Sequence, residues 1–133
     1  MTVSLAPSPQ VRTLADLLER LGGISADRVR YYPLLGTATE ADVISIDAHE
    51  DRLCELIDGV LVEKPMGLRE SLIAMWIVTA INNFVTPRKL GVVSGEAGMM
   101  RLLPGQVRIP DVAFISWARL PGGKIPTEPI PSL

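Results

Sequence analysis

Two short apolar runs separated by Asp58-Gly59 constrain the fold of this chain more than any other feature. Asp-Gly between apolar runs favours a two-residue turn, so residues 52–64 predict an antiparallel β-hairpin. In that hairpin Glu55 pairs with Val62, and cross-strand partners share one face of a sheet. The Glu55 carboxylate would then lie among apolar side chains, which costs free energy unless it is paired or binds a metal ion. A position at the solvent end of the sheet, or beside an arginine, is an equally good interpretation.

A second constraint comes from residues 107–117, which predict a buried strand with one carboxylate at its entrance. The apolar run at 112–115 offers side chains to both faces, as a strand covered on both sides does. Pro110 has no N–H to donate, so it fits the first strand position and not the middle. Asp111 would therefore lie where the strand begins, beside an apolar interior. A carboxylate there is either a turn or capping residue or a metal ligand.

Three further segments predict helices. The first begins after Thr13, carries an apolar stripe with helical spacing, and ends at Gly22-Gly23. A short helix is predicted over residues 39–46, and a long one follows the hairpin and continues to about Val85. The long helix is apolar over most of its circumference, which predicts burial on several sides. Its first turn carries Glu70, and a favourable interaction with the helix dipole is sufficient to explain that residue.

The order of these elements predicts an α+β fold, with a largely antiparallel or mixed β-sheet packed on the long buried helix. Short strands are predicted at residues 91–94 and 99–103, and the segment after Trp117 predicts a surface loop. Residues 1–12 predict a flexible N-terminal lead, and residues 13–133 a single domain.

Composition excludes several classes of protein. The net charge of −2 is uneven: 6 basic and 11 acidic residues in 1–66 give −5, and 7 and 4 in 67–133 give +3. This permits a nucleic-acid face without arguing for one. His49 is the only histidine, which excludes a histidine-based zinc site. The lone Cys54 excludes an internal disulfide and suits the cytoplasm. The most apolar stretch, 72–81, is too short to span a membrane, and no signal peptide is expected.

Three motifs resemble those of one protein family. They are E-L-I-D-G at residues 55–59, G-L-R-E-S at 67–71 and P-D-V at 110–112, in matching order and spacing. Together they resemble the restriction-endonuclease-like family of unknown biological role within the PD-(D/E)xK nuclease superfamily. The resemblance extends from about Thr13 to the C-terminus. It implies a mixed sheet flanked by helices, a divalent-metal site holding Mg²⁺ or Mn²⁺, and hydrolysis of phosphodiester bonds in DNA.

The resemblance also implies roles for individual residues. Asp111 matches the metal-binding aspartate of the P-D motif, and Glu55 matches the glutamate that the family places near its active site. Many members have a histidine near the start of the long helix, where this chain has Glu70 as a possible substitute. The implied catalytic residues are Asp111, Glu55 and Glu70, with Asp111 and Glu55 as metal ligands.

The largest departure from the family lies at the C-terminus. The family continues from a proline-rich link to a further strand with a second acid and a lysine, whereas this sequence stops within that link, and no lysine follows Lys124. We therefore expect a fragment or a natural remnant, with a fold incomplete at its C-terminal end and little or no activity. The uncovered sheet surface predicts self-association. A non-catalytic nucleic-acid-binding or dimerisation module of the same fold is the alternative, and a small, unrelated interaction protein is a third possibility.

Overall fold

The computed structural model describes residues 10–65 and 67–133, so most of the predicted N-terminal lead lies outside the described residues. Its helices are α1 (Leu14–Arg20), α2 (Glu40–Glu50) and α3 (Leu68–Val85). Its strands are β1 (Cys54–Ile57), β2 (Val60–Glu63), β3 (Gly91–Ser94), β4 (Met100–Leu103), β5 (Gln106–Arg108) and β6 (Ala113–Ser116). Short 3₁₀ turns occupy Ala26–Arg28, Trp117–Arg119 and Pro121–Gly123. The α+β class is confirmed.

The predicted hairpin is formed by β1 and β2, in the predicted register. Glu55 lies opposite Val62. Asp58 and Gly59 have φ angles of 49° and 78°, and two positive φ values are what a type I′ turn requires. A side chain at Gly59 would also meet the backbone of Gly36, so this position excludes even a Cβ atom.

The hairpin belongs to a four-stranded antiparallel sheet with the order β2-β1-β5-β4. One face of this sheet packs with α2 around the main hydrophobic core. The buried members of this core are Ala38, Val43, Ile46, Cys54, Leu56, Leu61, Val107 and Ile130. Burial raises the pKa of the Cys54 thiol to about 11, so this thiol stays protonated at neutral pH. Glu55 alternates with these core residues along β1 and therefore lies on the opposite face.

A separate two-stranded antiparallel sheet is formed by β3 and β6, and α3 packs on β3. The expectation that α3 is buried on several sides is wrong for the described chain, in which only Ala74 and Val85 of this helix are buried. Its exposed large apolar residues are Leu68, Leu72, Ile73, Met75, Trp76, Ile77 and Phe84. An apolar pattern shows which side chains avoid water, but burial also requires an element that packs on them.

The predicted strand at 107–117 is also wrong, because it is two strands in two different sheets. Residues 109–112 form an irregular link between β5 and β6. Pro110 lies in that link. Its missing N–H does no harm there, whereas inside a strand it would break the ladder of hydrogen bonds. Phe114 is 48% exposed, so β6 is not covered on both faces.

Two smaller predictions also need correction. The second helix, predicted over residues 39–46, begins at Glu40 and continues to Glu50, and it therefore includes His49. The segment after Trp117 was expected to be a surface loop, yet Leu120 and Ile130 are 5% and 4% exposed. Proline-rich spacing indicates irregular backbone correctly, but irregular backbone can still place apolar side chains in a core. In the described part of the chain, no helix has the length and apolar content needed to cross a bilayer.

Candidate active site

The three acidic residues singled out in the sequence line one cleft, which has a volume of about 550 Å³. Glu55 enters it from β1, Glu70 from the first turn of α3, and Asp111 from the link between β5 and β6. Arg28 and Lys64 line the same cleft and bring positive charge to it. Residues from four separate parts of the chain thus surround one space, on the sheet face that turns away from α2.

Glu55 is held by the backbone of the segment that carries Asp111. Its Oε1 atom accepts a hydrogen bond of 2.8 Å from the backbone N–H of Ile109. Glu55 is half-buried, and its partner in this contact is a backbone N–H. The hydrogen bond satisfies the N–H of the buried Ile109, and it joins β1 to the backbone two residues before Asp111.

Asp111 forms an ion pair with a lysine from the end of the hairpin. Its Oδ1 atom lies 3.1 Å from Nζ of Lys64. The side chain of Lys64 is 7% exposed, whereas that of Asp111 is 75% exposed. The same ammonium donates a hydrogen bond of 2.6 Å to the backbone carbonyl oxygen of Glu96, in the turn after β3. The cation is therefore fixed inside the cleft, and the carboxylate approaches it from the rim.

Glu70 and Glu96 have different surroundings. Glu70 is exposed, and its carboxylate lies so close to Gly67 that a Cβ atom there would meet its Oε2 atom. Glu96 accepts a hydrogen bond of 2.9 Å from the Ser71 hydroxyl, which ties the turn after β3 to α3. Glu70 therefore faces the cleft, while Glu96 has a structural role beside it.

Sequence analysis did not single out Lys64, although the sequence contains a signal for it. Side chains alternate between the faces of a strand, so Lys64 follows Val62 on the face that Glu55 occupies. Val62 is the cross-strand partner of Glu55, and Lys64 comes two residues after Val62. The sequence therefore predicts Lys64 near Glu55. Arg28 carried no comparable signal, because the 3₁₀ turn Ala26–Arg28 approaches the cleft only through tertiary packing.

Glu55 and Asp111 supply the oxygen donors that hard divalent cations prefer. Among residues 10–65 and 67–133, no three His, Cys, Asp or Glu side chains form a group that could hold a metal ion. Two carboxylates nevertheless fit Mg²⁺, which commonly keeps several water molecules and adds phosphate oxygens from its substrate. Glu55 and Asp111 thus bring two carboxylates of this kind to the cleft, and Asp111 is already paired to Lys64.

Comparison with known protein families gives a match to the model described as "Uma2: Putative restriction endonuclease" over residues 39–133. This range contains both strands of the hairpin, α3 and Asp111. The chain belongs to the Uma2 family. The predicted relationship to restriction-endonuclease-like proteins is therefore confirmed.

A solved structure supports the same relationship. The chain is similar to a "putative nuclease belonging to DUF820" from Anabaena variabilis ATCC 29413, with 26% sequence identity and a TM-score of 0.51. The similarity covers 60% of this chain and 45% of that protein, so this Uma2 chain spans less than half of its solved neighbour. The search of the curated proteins gave no match. A nuclease-like family and fold are thus shown.

Proposed function

We propose that this chain forms the site of a divalent-metal-dependent endonuclease acting on DNA, and that it cleaves DNA slowly or not at all. The observation that carries the proposal is the single cleft lined by Glu55, Glu70 and Asp111. Family and fold make the cleft a nuclease candidate. The cytoplasm is the compartment that we propose, since the single cysteine, Cys54, is a free and buried thiol.

Within this proposal, the residues of the cleft divide the chemistry among them. Glu55 and Asp111 would hold Mg²⁺ or Mn²⁺, which when bound polarises a phosphodiester and activates water. Glu70, exposed in the same cleft, would accept a proton from an attacking water molecule. Nε of Arg28 donates a hydrogen bond of 3.0 Å to the backbone carbonyl oxygen of Glu63, and the remaining N–H donors of its guanidinium would suit a phosphate group.

Low activity follows from the same geometry. Two carboxylates hold a divalent ion less tightly than three, and the Lys64 ammonium neutralises one of these two. We therefore propose weak metal binding and slow hydrolysis for the chain as it stands.

Incubation of supercoiled plasmid with the protein and Mg²⁺ or Mn²⁺ tests this proposal. The expected result is trace nicking at most, and any nicking should disappear in Asp111→Asn and persist in Asp47→Asn, which changes an exposed acid outside the cleft. Robust cutting that depends on Asp111 would contradict the proposed low activity. Nicking that is unaffected by Asp111→Asn would contradict the proposed site.

A second candidate function, dimerisation, is favoured by the exposed apolar face of α3. Monomeric proteins rarely leave so many large apolar side chains of one helix in water. Trp76, Leu68 and Met75 are 70%, 80% and 57% exposed. We propose that a second copy of this chain covers this face, since packing two identical apolar helices buries both faces at once.

A further inference from the structure

The two partners of the Lys64–Asp111 ion pair differ greatly in solvent exposure. The lysine side chain is almost completely buried, while the aspartate side chain is 75% exposed. A buried ammonium has to be paired with acceptors, because desolvation of a charge is costly. Lys64 has two such acceptors, Oδ1 of Asp111 at 3.1 Å and the carbonyl oxygen of Glu96 at 2.6 Å.

The position of the ammonium is also fixed from the side of α3. Ser71 in the first turns of that helix donates a hydrogen bond to Oε1 of Glu96, and the backbone carbonyl of Glu96 accepts one from Lys64. The Asp111 side chain lies mostly in solvent, whereas the buried Lys64 ammonium is also held by the turn after β3. Lys64 is therefore the more firmly held partner of this ion pair.

We propose that Lys64 is an internal counter-ion that competes with a divalent cation for Asp111. A metal ion bound to Asp111 has either to displace the ammonium from the carboxylate or to bind beside a positive charge. Both arrangements cost free energy, because like charges a few ångströms apart repel strongly in a partly desolvated site. Lys64 thus keeps the cleft in a state of low metal affinity. This inference rests on the proposed function, in which Glu55 and Asp111 are the metal ligands.

The opposite role for Lys64 predicts an effect of opposite sign. If the lysine only positioned Asp111 for metal binding, removing its charge would leave the carboxylate mobile and would weaken binding. If Lys64 competes with the metal, removing its charge frees the carboxylate and strengthens binding. A binding measurement therefore distinguishes the two roles without any assay of DNA cleavage.

Calorimetric titration with Mn²⁺ alone tests the inference. Lys64→Gln removes the charge and keeps an N–H donor for the Glu96 carbonyl, and it should bind Mn²⁺ roughly tenfold more tightly than the wild type. Lys124→Gln makes the same change in net charge at an exposed residue outside the cleft, and it should leave the affinity unchanged. In an Asp111→Asn background, Lys64→Gln should not increase the affinity for Mn²⁺. Circular dichroism confirms folding, and Lys64→Met is the second variant if the glutamine variant does not fold.

Three outcomes would overturn the inference. Equal or weaker Mn²⁺ binding by a folded Lys64 variant would contradict competition while leaving the proposed metal site intact. An equal increase of Mn²⁺ affinity in Lys124→Gln would show that the effect comes from the change in net charge and not from the position of Lys64. If neither the wild type nor the Lys64 variants bind Mn²⁺ at millimolar concentration, the metal part of the proposed function fails together with the inference.

Discussion

The backbone N–H of Ile109 donates a hydrogen bond of 2.8 Å to Oε1 of Glu55, although the two residues are 54 positions apart in the chain. Ile109 is 2% exposed, so the contact lies at the inner end of the cleft. It joins the hairpin to the segment that presents Asp111. Glu55 therefore has a structural role in addition to the metal-binding role that we propose, because one carboxylate oxygen suffices for the N–H and the other remains available.

Replacing Glu55 separates these two roles. Glu55→Ala leaves the buried N–H of Ile109 without its acceptor, and this should lower the free energy of unfolding by about 1–3 kcal/mol. Glu55→Gln keeps an acceptor oxygen and should lose clearly less stability, although it removes the charge. Urea denaturation followed by circular dichroism measures both values. Equal stability of the alanine variant and the wild type would show that the hydrogen bond does not hold the two segments together.

Gly59 and Gly105 provide a matched pair for testing the hairpin turn. Their φ angles are nearly equal, 78° and 76°, but only at Gly59 would a Cβ atom meet other backbone, that of Gly36. Gly105→Ala should cost about 1–2 kcal/mol, the cost of a left-handed conformation in a residue with a side chain. Gly59→Ala should cost clearly more, because the backbone of two segments has to separate. Thermal unfolding compares them, and similar losses would contradict the close approach to Gly36.

The ion pair of Glu40 and Arg101 predicts a dependence of stability on acid pH. Arg101 donates to both carboxylate oxygens, with Nε to Oε1 at 2.5 Å and Nη2 to Oε2 at 2.6 Å. These hydrogen bonds lower the pKa of Glu40 from its ordinary value of 4.5. A lowered pKa in the folded state means that the stabilisation is fully present above pH 4.5 and is lost as pH falls through the folded-state pKa.

Glu40→Gln should therefore be less stable than the wild type at neutral pH, and the difference should shrink in acid. Thermal unfolding at a series of pH values between 7 and about 3 measures it. Asp47→Asn, at an exposed acid on the same helix, serves as the control for changed net charge. A difference that stays constant across this range would show that the carboxylate of Glu40 does not titrate against Arg101.

The exposed face of α3 predicts the oligomeric state. The wild-type chain should form a dimer in sedimentation equilibrium, and Trp76→Glu should shift it toward the monomer by placing a charge in the apolar contact. Trp117→Glu is the matched control, since Trp117 is also exposed but belongs to the 3₁₀ turn Trp117–Arg119 and not to α3. A monodisperse wild-type monomer would contradict the proposal that a second copy covers the helix.

The elements that could be predicted from sequence are those fixed by local chemistry. Thr13 and Asp16 form the capping box that begins α1, and Asp58-Gly59 forms the turn that sets the hairpin register. In each case the contacts lie within a few residues of one another. Local contacts of this kind are encoded in residue type and spacing, and here the structure agrees with both.

The errors arose where tertiary contacts decide the outcome. Pro110 divides an apolar run into strands of two sheets, and nothing in the run itself shows that β5 joins β1 while β6 joins β3. The hydrophobic pattern of α3 likewise does not predict which element packs on the apolar side chains of this helix. At the candidate site, the motifs predict Glu55, Glu70 and Asp111. Lys64, the partner of Asp111, is predicted only when the alternation of side chains along β2 is continued beyond the end of the strand.

The central claim, that Glu55 and Asp111 form a metal site in this Uma2-family chain, is tested most directly by crystals soaked in Mn²⁺. An anomalous difference map identifies manganese without relying on activity, and Asp111→Asn crystals treated in the same way provide the control. We predict one anomalous peak in contact with carboxylate oxygens of both Glu55 and Asp111, absent from the variant. A map with no peak in the cleft, or with a peak that persists in Asp111→Asn, would contradict the account.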